Sequence, residues 1–378
     1  MNFDRTEEQQ LVAASIERFV ARDYTFEARR RIVASEQGWS DDVWRTMAEL
    51  GLLGLTLPGE HGGLGGGATD AMSLMEAIGD ALVVEPWLAT VALGARAVAR
   101  AGSGDQQARL LPRVIDGTLK LAFAHAEAGA RHDLAHVTTR GTRAKDGYAL
   151  SGEKRTVLHG ASADRLIVSF RVDDVVALAL VDRAAPGVNI TPLRMLDDTR
   201  AADIALDGVR VDDAALLRAP DALAVIEEVM DFATALICAE AVGAIASANA
   251  ATLEYLRTRH QFGVPIGSFQ ALQHRMVDLA IELEQARSMA ALACSAVDHE
   301  GNSRARARTV SAAKIRIADA CRRVSQESIQ LHGGMGMSDE MKVSHTFRRL
   351  TVLAQQFGDA DHHLARFAAL HAPTGNVS

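Results

Sequence analysis

The 378-residue chain has little cysteine: Cys238, Cys294 and Cys321 are the only three. They are scattered and share no motif, which speaks against a disulfide framework and a cysteine-based metal site. Small buried thiols are the ordinary reading of such positions. His362 and His363 stand side by side with no third ligand in the sequence, so no metal is expected there either. The opening residues hold no apolar signal core, and no run approaches the ~20 apolar residues of a membrane span. A reduced, cytoplasmic setting away from any membrane is the expectation. Positive charge is not in excess: 40 Lys and Arg against 48 Asp and Glu leave a net charge of −8, which removes the general case for nucleic-acid binding. Internal repeats and low-complexity linkers are missing as well. What is present is 48% hydrophobic and 23% charged residues. That is ordinary for a globular protein, and the length suits two or three domains with a large core.

Periodicity divides the chain into three parts. Residues 1–118 read as helical. Thr6-Glu7-Glu8-Gln9 is a start signal ahead of Leu11, Val12, Ile16, Phe19 and Val20 at helical spacing. A second helix fits 41–50, with Val43, Trp44, Met47 and Leu50 on one face, and 58–67 breaks the pattern. Further helices fit 70–82, 87–101 and 105–117. Residues 119–218 change character, with short β-like runs at 121–124, 148–150, 166–170, 175–181 and 188–190. Asp146-Gly147, Ser151-Gly152, Pro186-Gly187 and Asp207-Gly208 are the turn signals between them, a spacing that predicts a small antiparallel barrel or sandwich. Over 219–378 the helical period returns at 220–258, 268–297, 304–332 and 337–370, with the short connections of a bundle.

Two motifs carry chemistry. In Gln330-Leu331-His332-Gly333-Gly334-Met335-Gly336-Met337 the glycines let the backbone turn sharply and approach a ligand. N–H groups exposed in such a turn hold phosphate or carbonyl oxygens, and Gln330 and His332 add side-chain hydrogen bonding. A helix C-cap is the competing reading. Upstream, Arg259-His260-Gln261-Phe262-Gly263 offers a planar guanidinium suited to two oxygens of a pyrophosphate and a ring for a flat ligand. Gln270 follows as an amide partner. A surface arginine at a helix end is the alternative. Gly63-Leu-Gly65-Gly66-Gly67-Ala68 satisfies a loose dinucleotide pattern, but its neighbours are helical and a wide turn is the better reading.

Together and in this order the two motifs resemble the flavin-binding signatures of the acyl-CoA dehydrogenase family. Phe3-Asp4-Arg5-Thr6-Glu7-Glu8-Gln9 resembles the family's opening. The run Leu50-Gly-Leu-Leu-Gly-Leu-Thr-Leu-Pro-Gly-Glu-His-Gly-Gly-Leu-Gly65 resembles its first-domain glycine loop, and Leu150-Ser-Gly-Glu-Lys154 its middle-domain hairpin. The match covers nearly the whole chain. It implies an α+β multidomain fold: an N-terminal helical domain over 1–118, a small antiparallel β-domain over 119–218 and a C-terminal four-helix bundle over 219–378. It also implies FAD as cofactor and α,β-dehydrogenation of an acyl-CoA thioester, in fatty acid or steroid side-chain degradation. Arg259, Gln261, Phe262, Gln270, Gln330, Leu331, His332, Gly333 and Gly334 would hold the AMP half of FAD, from a neighbouring protomer. A dimer or tetramer and an electron-transfer flavoprotein as acceptor follow from the same resemblance. The middle domain departs from the pattern. Where many members have a Thr-Glu-Pro flavin contact this chain has Ala122-Phe-Ala-His125-Ala126-Glu127, then Gly129 and Asp133, and where many have Trp-Ile-Thr it has Thr156-Val157-Leu158. Backbone groups at Ala126 and Glu127 and the His159 side chain are the contacts left for the flavin ring.

The family reaction removes a proton from the α-carbon, which needs a carboxylate within reach. Aligned on Gly358, the usual glutamate position holds Phe357. The other place used by some members, early in the first bundle helix, falls on Ala233. Asp359 and Asp231 are the nearby carboxylates and the candidate bases, with a helix N-cap as the competing role for Asp359. The tail Phe357-Gly-Asp-Ala-Asp-His-His-Leu-Ala-Arg-Phe367 resembles the small-subunit branch, as in pimeloyl-CoA dehydrogenase small subunits. Relatives in steroid side-chain degradation pair two unlike chains, one of which supplies the base. That implies one subunit of a heteromer with a second acyl-CoA dehydrogenase-like chain. Two alternatives stay open: a non-catalytic flavin-binding or structural partner, and another flavin reaction on this fold, such as an oxidase, monooxygenase or desulfinase.

Overall fold

The computed structural model describes residues 7–371. Residues 3–6 of the opening motif lie outside the described residues. In chain order come helices α1 (Glu7–Asp23), α2 (Phe26–Ala34), α3 (Asp41–Glu49) and α4 (Ala68–Ala81). A π-helical stretch over Leu88–Ala95 then runs into α5 (Arg96–Ala101), followed by α6 (Gly104–Ile115). Strands β1 (Leu121–Ala124), β2 (Arg140–Ala144), β3 (Gly147–Leu158), β4 (Arg165–Val172), β5 (Val175–Asp182), β6 (Val188–Arg194), β7 (Arg200–Asp212) and β8 (Leu216–Leu217) follow. The rest is α7 (Ala222–Thr258), a hairpin of β9 (His260–Gln261) and β10 (Val264–Pro265), α8 (Gln270–His299), α9 (Ser303–His332), α10 (Lys342–Gln355) and α11 (Ala360–His371). The helical, β, helical order is the one the periodicity predicts; α2 is an addition to it.

By compactness the chain forms two units. One contains Arg31–Gly67 and Val84–Ala233; the other contains the residues up to Arg30, Ala68–Val83 and the chain from Thr234 onward. In the first, local signals set the helix starts. Ser40 caps α3 by accepting the Val43 N–H, and Val43, Trp44 and Met47 are buried beneath it. Ser103 and Gln106 form a reciprocal capping box on α6. The sheet has the order β6-β7-β3-β2-β4-β5-β8, with β1 beside β4. Alternating inward residues, among them Leu150, Val157, Leu166, Val168, Phe170 and Ile204, fill its core. Most pairings are antiparallel as expected, but β1 runs parallel to β4, as does the single β2–β4 pairing. No tight hairpin joins β1 to a neighbour; a long connection leads away from it, and only such a connection permits parallel pairing.

In the other unit α9 packs against α8, α10 and α11, and α4 packs on α1 and α8. Helices α4 and α7 cross at backbone contact. A Cβ on Gly79 would lie 1.9 Å from the Glu240 carbonyl oxygen, and one on Gly243 would lie 1.8 Å from that of Glu76. Two features differ from the sequence reading. Helix α7 is long and apolar enough to cross a membrane by length and composition, with a mean hydropathy of 1.7, yet 89% of that window is buried inside the fold. The stretch 337–370, expected as one helix, is two. The break falls at Phe357 and Gly358, whose φ values of +61° and +119° cannot continue a helix.

Candidate functional site

Two constellations form, one in each unit. In the unit that contains the C-terminal helices, the end of α7 and the end of α9 come together through Tyr255 and His332, whose rings stack with centroids 4.6 Å apart. His332 Nδ1 bonds to the Ser328 carbonyl at 2.8 Å. A carbonyl only accepts, so Nδ1 carries the proton and donates. Burial holds this imidazole below its usual pKa. Leu331 is buried as well, whereas Gln330, Gly333 and Gly334 are exposed. Gly333 ends α9 at φ +61°, ψ −146°, close to a region that only glycine enters freely. Nothing stands within 4 Å of a Cβ built on Gly333 or Gly334, so the turn presents open backbone. The octet therefore ends α9 and leaves open space over Gly333 and Gly334.

The hairpin after α7 supplies the rest. Arg259, Gln261 and Gln270 are exposed, and Phe262 is 90% exposed at φ +56°. Among the described residues the Arg259 guanidinium makes no hydrogen bond or ion pair. By contrast, Arg275, Arg316 and Arg323 nearby in sequence are all paired with acids. An uncommitted cation, an exposed ring that meets only the edge of Phe269 and open glycine backbone form a set that fits the pyrophosphate and adenosine parts of a flavin dinucleotide. An apolar surface accompanies them, with Val277, Ile281, Met335 and Met337 each about half exposed or more. Exposed apolar residues of this kind, where they cluster, mark surfaces that another molecule covers.

In the other unit, Ala126 is exposed and its carbonyl accepts the Arg155 N–H at 2.8 Å. Glu127 is turned inward. Its carboxylate accepts from Lys154 Nζ at 2.6 Å, from the N–H and Oγ1 of Thr138 at 2.5 Å each, and from the N–H and Oγ1 of Thr139 at 3.1 and 2.7 Å. The side chain is spent within the protein, which leaves only its backbone for a cofactor. Burial raises this carboxyl, but Lys154 and the two threonines outweigh it and hold it at about 2. Lys154 is itself fully buried; burial brings its ammonium down to about 8 against the opposing pull of Glu127. It also donates to Ser169 Oγ at 2.9 Å, and Ser169 meets His125 Nδ1 at 2.9 Å. Burial, with the Lys154 charge acting in the same direction, lowers His125 to about 4. His159 is buried at φ +50° and its N–H donates to the Arg200 carbonyl at 2.9 Å. Thr156 sits at φ +52° on a bulge of β3, a strained place for a β-branched residue. The Asp203 carboxylate holds it there by accepting its N–H at 2.9 Å.

Asp359 and Asp231 occupy different settings. Asp359 Oδ1 accepts the His362 N–H at 2.8 Å, an N-cap on α11. Phe357, at the aligned position, is half-buried, and its carbonyl bonds to His363 Nε2 at 3.1 Å. Asp231 is 1% exposed, in the first turns of α7. One turn before it, Glu228 pairs with Arg96 at 2.5 Å and Arg100 at 3.2 Å. Beside it, Phe232 lies 3.5 Å under the Arg96 guanidinium. Neither this cluster nor the Lys154 network is evident from motif reading. The available signals were Lys154 at an inward position of an alternating strand, and Arg96 in an otherwise apolar helical run.

Three family models match successive stretches of the chain. The acyl-CoA dehydrogenase N-terminal domain model matches residues 6–118, the middle domain 122–209 and the C-terminal domain 223–369. The probable acyl-CoA dehydrogenase YngJ of Bacillus subtilis is 30% identical over 360 residues, covering 92% of this chain and 93% of that protein. Acyl-CoA dehydrogenase FadE12 of Mycobacterium tuberculosis is 30% identical over 359 residues, covering 91% and 90%. Among solved structures, a chain of the ChsE4–ChsE5 complex from Mycobacterium tuberculosis superposes with a TM-score of 0.90 at 28% identity, covering 99% of this chain and 100% of that one.

Proposed function

The chain belongs to the acyl-CoA dehydrogenase family of oxidoreductases, and on that premise we propose that it carries out FAD-dependent α,β-dehydrogenation of an acyl-CoA thioester as one subunit of a heteromeric enzyme. The observation that carries the reading is the exposed hairpin after α7, with the uncommitted Arg259 and the exposed Phe262. Arg259 donates to the pyrophosphate. Gln261, Phe262, Gln270 and the 330–334 turn would receive the AMP half of a flavin bound to a neighbouring protomer, and the Ala126 and Glu127 backbone and His159 would receive the ring edge of the flavin bound to this one. When bound, FAD supplies the acceptor for the hydride that leaves the β-carbon. The protein's own task is to orient the thioester, exclude water and take the α-proton on a carboxylate. Within this chain the candidates for that carboxylate are Asp359 and Asp231.

A second chain of related fold is the proposed partner. The exposed apolar surface around Phe262 and α8 supports a covering protomer. Two structural relatives, at 28% and 30% identity, are a chain of the ChsE4–ChsE5 complex from Mycobacterium tuberculosis and the Tcur3481–Tcur3483 steroid ACAD. An electron-transfer flavoprotein is the proposed acceptor. One observation favours a second reading, a non-catalytic flavin-binding partner: Phe357 cannot accept a proton and Asp359 already caps a helix. Flavin content tests the shared part of both readings. Arg259→Ala should purify with markedly less FAD than the parent from the same host, and equal flavin content would contradict the assignment of the hairpin.

A further inference from the structure

Residues 125–139, between β1 and β2, contain no helix or strand, yet they are tied down at both ends. Glu127 stands near the start of the segment; Thr138 and Thr139 stand at its finish. All four threonine donors converge on the Glu127 carboxylate. Lys154, projecting from β3, holds that carboxylate at 2.6 Å and reaches Ser169 on β4 at 2.9 Å and the His125 carbonyl at 3.4 Å. His125, Glu127 and Ser169 are therefore the polar groups that face the ammonium. Arg171 on β4 adds a second tie, donating to the carbonyls of Val137 at 3.3 Å and Ala135 at 3.1 Å.

The Lys154 and Glu127 side chains are 0% and 1% exposed. A pair this dry is a poor source of stability, because apolar residues of similar volume often do as well. What the pair provides instead is one fixed path for a segment with no ladder of its own. Structureless segments of this length in compact domains are usually functional. The exposed Ala126 sits at the start of the path, with its carbonyl already fixed by the Arg155 N–H.

We infer that Lys154 is a positioning residue for the flavin: through Glu127 it holds the 125–139 segment in the conformation that receives the edge of the isoalloxazine. The inference rests on the flavin reading above. Lys154 acts without touching the cofactor, and the Glu127 side chain orders the backbone on either side of itself.

The test uses the full chain. Lys154→Met alone leaves a buried, unpaired carboxylate, so the informative variant is Glu127→Leu/Lys154→Met, which removes both charges together. It is expected to fold with a lowered melting temperature, because the Thr138 and Thr139 donors lose their acceptor. The Thr138 and Thr139 amides, measured by hydrogen exchange without added flavin, should exchange at least about tenfold faster, since their acceptor is gone. FAD should bind at least about tenfold more weakly by titration, a difference of about 1.4 kcal/mol, and its visible band should move toward that of free flavin. Should this variant not fold, Glu127→Gln serves. It keeps the oxygen shared by Lys154 and Thr139 and loses the acceptor for Thr138, so faster exchange is expected at the Thr138 amide, with the same weakening of FAD binding. Unchanged protection of the two amides would overturn the clamp, and unchanged FAD affinity would overturn its role toward the cofactor. A parent chain that takes up no flavin, alone or co-expressed with a homologous partner chain, would overturn the functional reading and this inference with it, so the two failures are told apart by the parent.

Discussion

The buried pair between Glu240 on α7 and Arg349 on α10 gives the sharpest stability prediction. Arg349 donates from Nε at 2.6 Å and from Nη2 at 2.8 Å to the two oxygens of one carboxylate. Glu240 is 1% exposed and Arg349 8%. Arg349→Met keeps most of the side-chain volume and leaves a carboxylate in a dry helix interface. The cost of such an uncompensated charge is about 3–5 kcal/mol. Adding Glu240→Leu removes the stranded charge, and the double variant should recover most of that loss. The exposed pair of Arg322 with Asp319, at side-chain exposures of 69% and 44%, is the control; Arg322→Met should cost less than ~1 kcal/mol. Urea unfolding followed by far-UV circular dichroism is the suitable assay. Tryptophan fluorescence is not, because Trp39, Trp44 and Trp87 all lie in the other compact unit. An Arg349→Met loss no larger than that of Arg322→Met would refute the reasoning, as would a double variant no better than the single.

Three further outcomes are expected. Gly79→Ala places a methyl group 1.9 Å from the Glu240 carbonyl oxygen, so it should lower stability by about 1–3 kcal/mol or more, visible as a drop in melting temperature. Acid should destabilise the fold early. His125 and His363 have folded pKa values of about 4 and about 3 against an ordinary 6.5, mainly through burial. Their neutral rings therefore contribute stability that is full above pH 6.5 and lost as the pH falls through those values. A melting temperature that stays flat from pH 6.5 to 4 would contradict this. Asp359→Asn keeps a capping oxygen and should leave the melting temperature unchanged, whereas Asp359→Ala should cost ~1 kcal/mol. If Asp359 is the base, the Asn variant should nevertheless lose roughly 10²–10⁴ in turnover; parental turnover would remove it from that role.

Much of the fold is legible in the sequence because periodicity reports burial directly. The 3.6-residue spacing in α3 and α9 and the alternation in β3 to β5 follow from which face each element hides. Backbone strain leaves no such trace. The kink at Phe357 and the bulge at Thr156 place bulky or branched residues at positive φ, where local preference predicts neither, and only the surrounding structure holds them there. The parallel β1–β4 pairing depends on long-range topology for the same reason. At the candidate site, Arg259, Phe262 and Gly333 were visible because motif chemistry resides in exposed side chains and glycines. Glu127 was legible as a residue of interest, but whether its carboxylate faces outward or inward depends on Lys154, Thr138 and Thr139, which approach from other elements. Apolar patterning equally did not reveal that α7 would reach membrane-like hydropathy while remaining a core helix.

The central claim is a flavin-dependent acyl-CoA dehydrogenation centred on this chain. Its most direct test is an anaerobic visible spectrum of the purified protein, alone and then co-expressed with a homologous partner chain, before and after a panel of acyl-CoA thioesters. The account predicts a bound flavin band that is bleached by at least one thioester once the partner is present. A protein that carries no flavin in either form, or a flavin that no acyl-CoA reduces even with the partner, would contradict it.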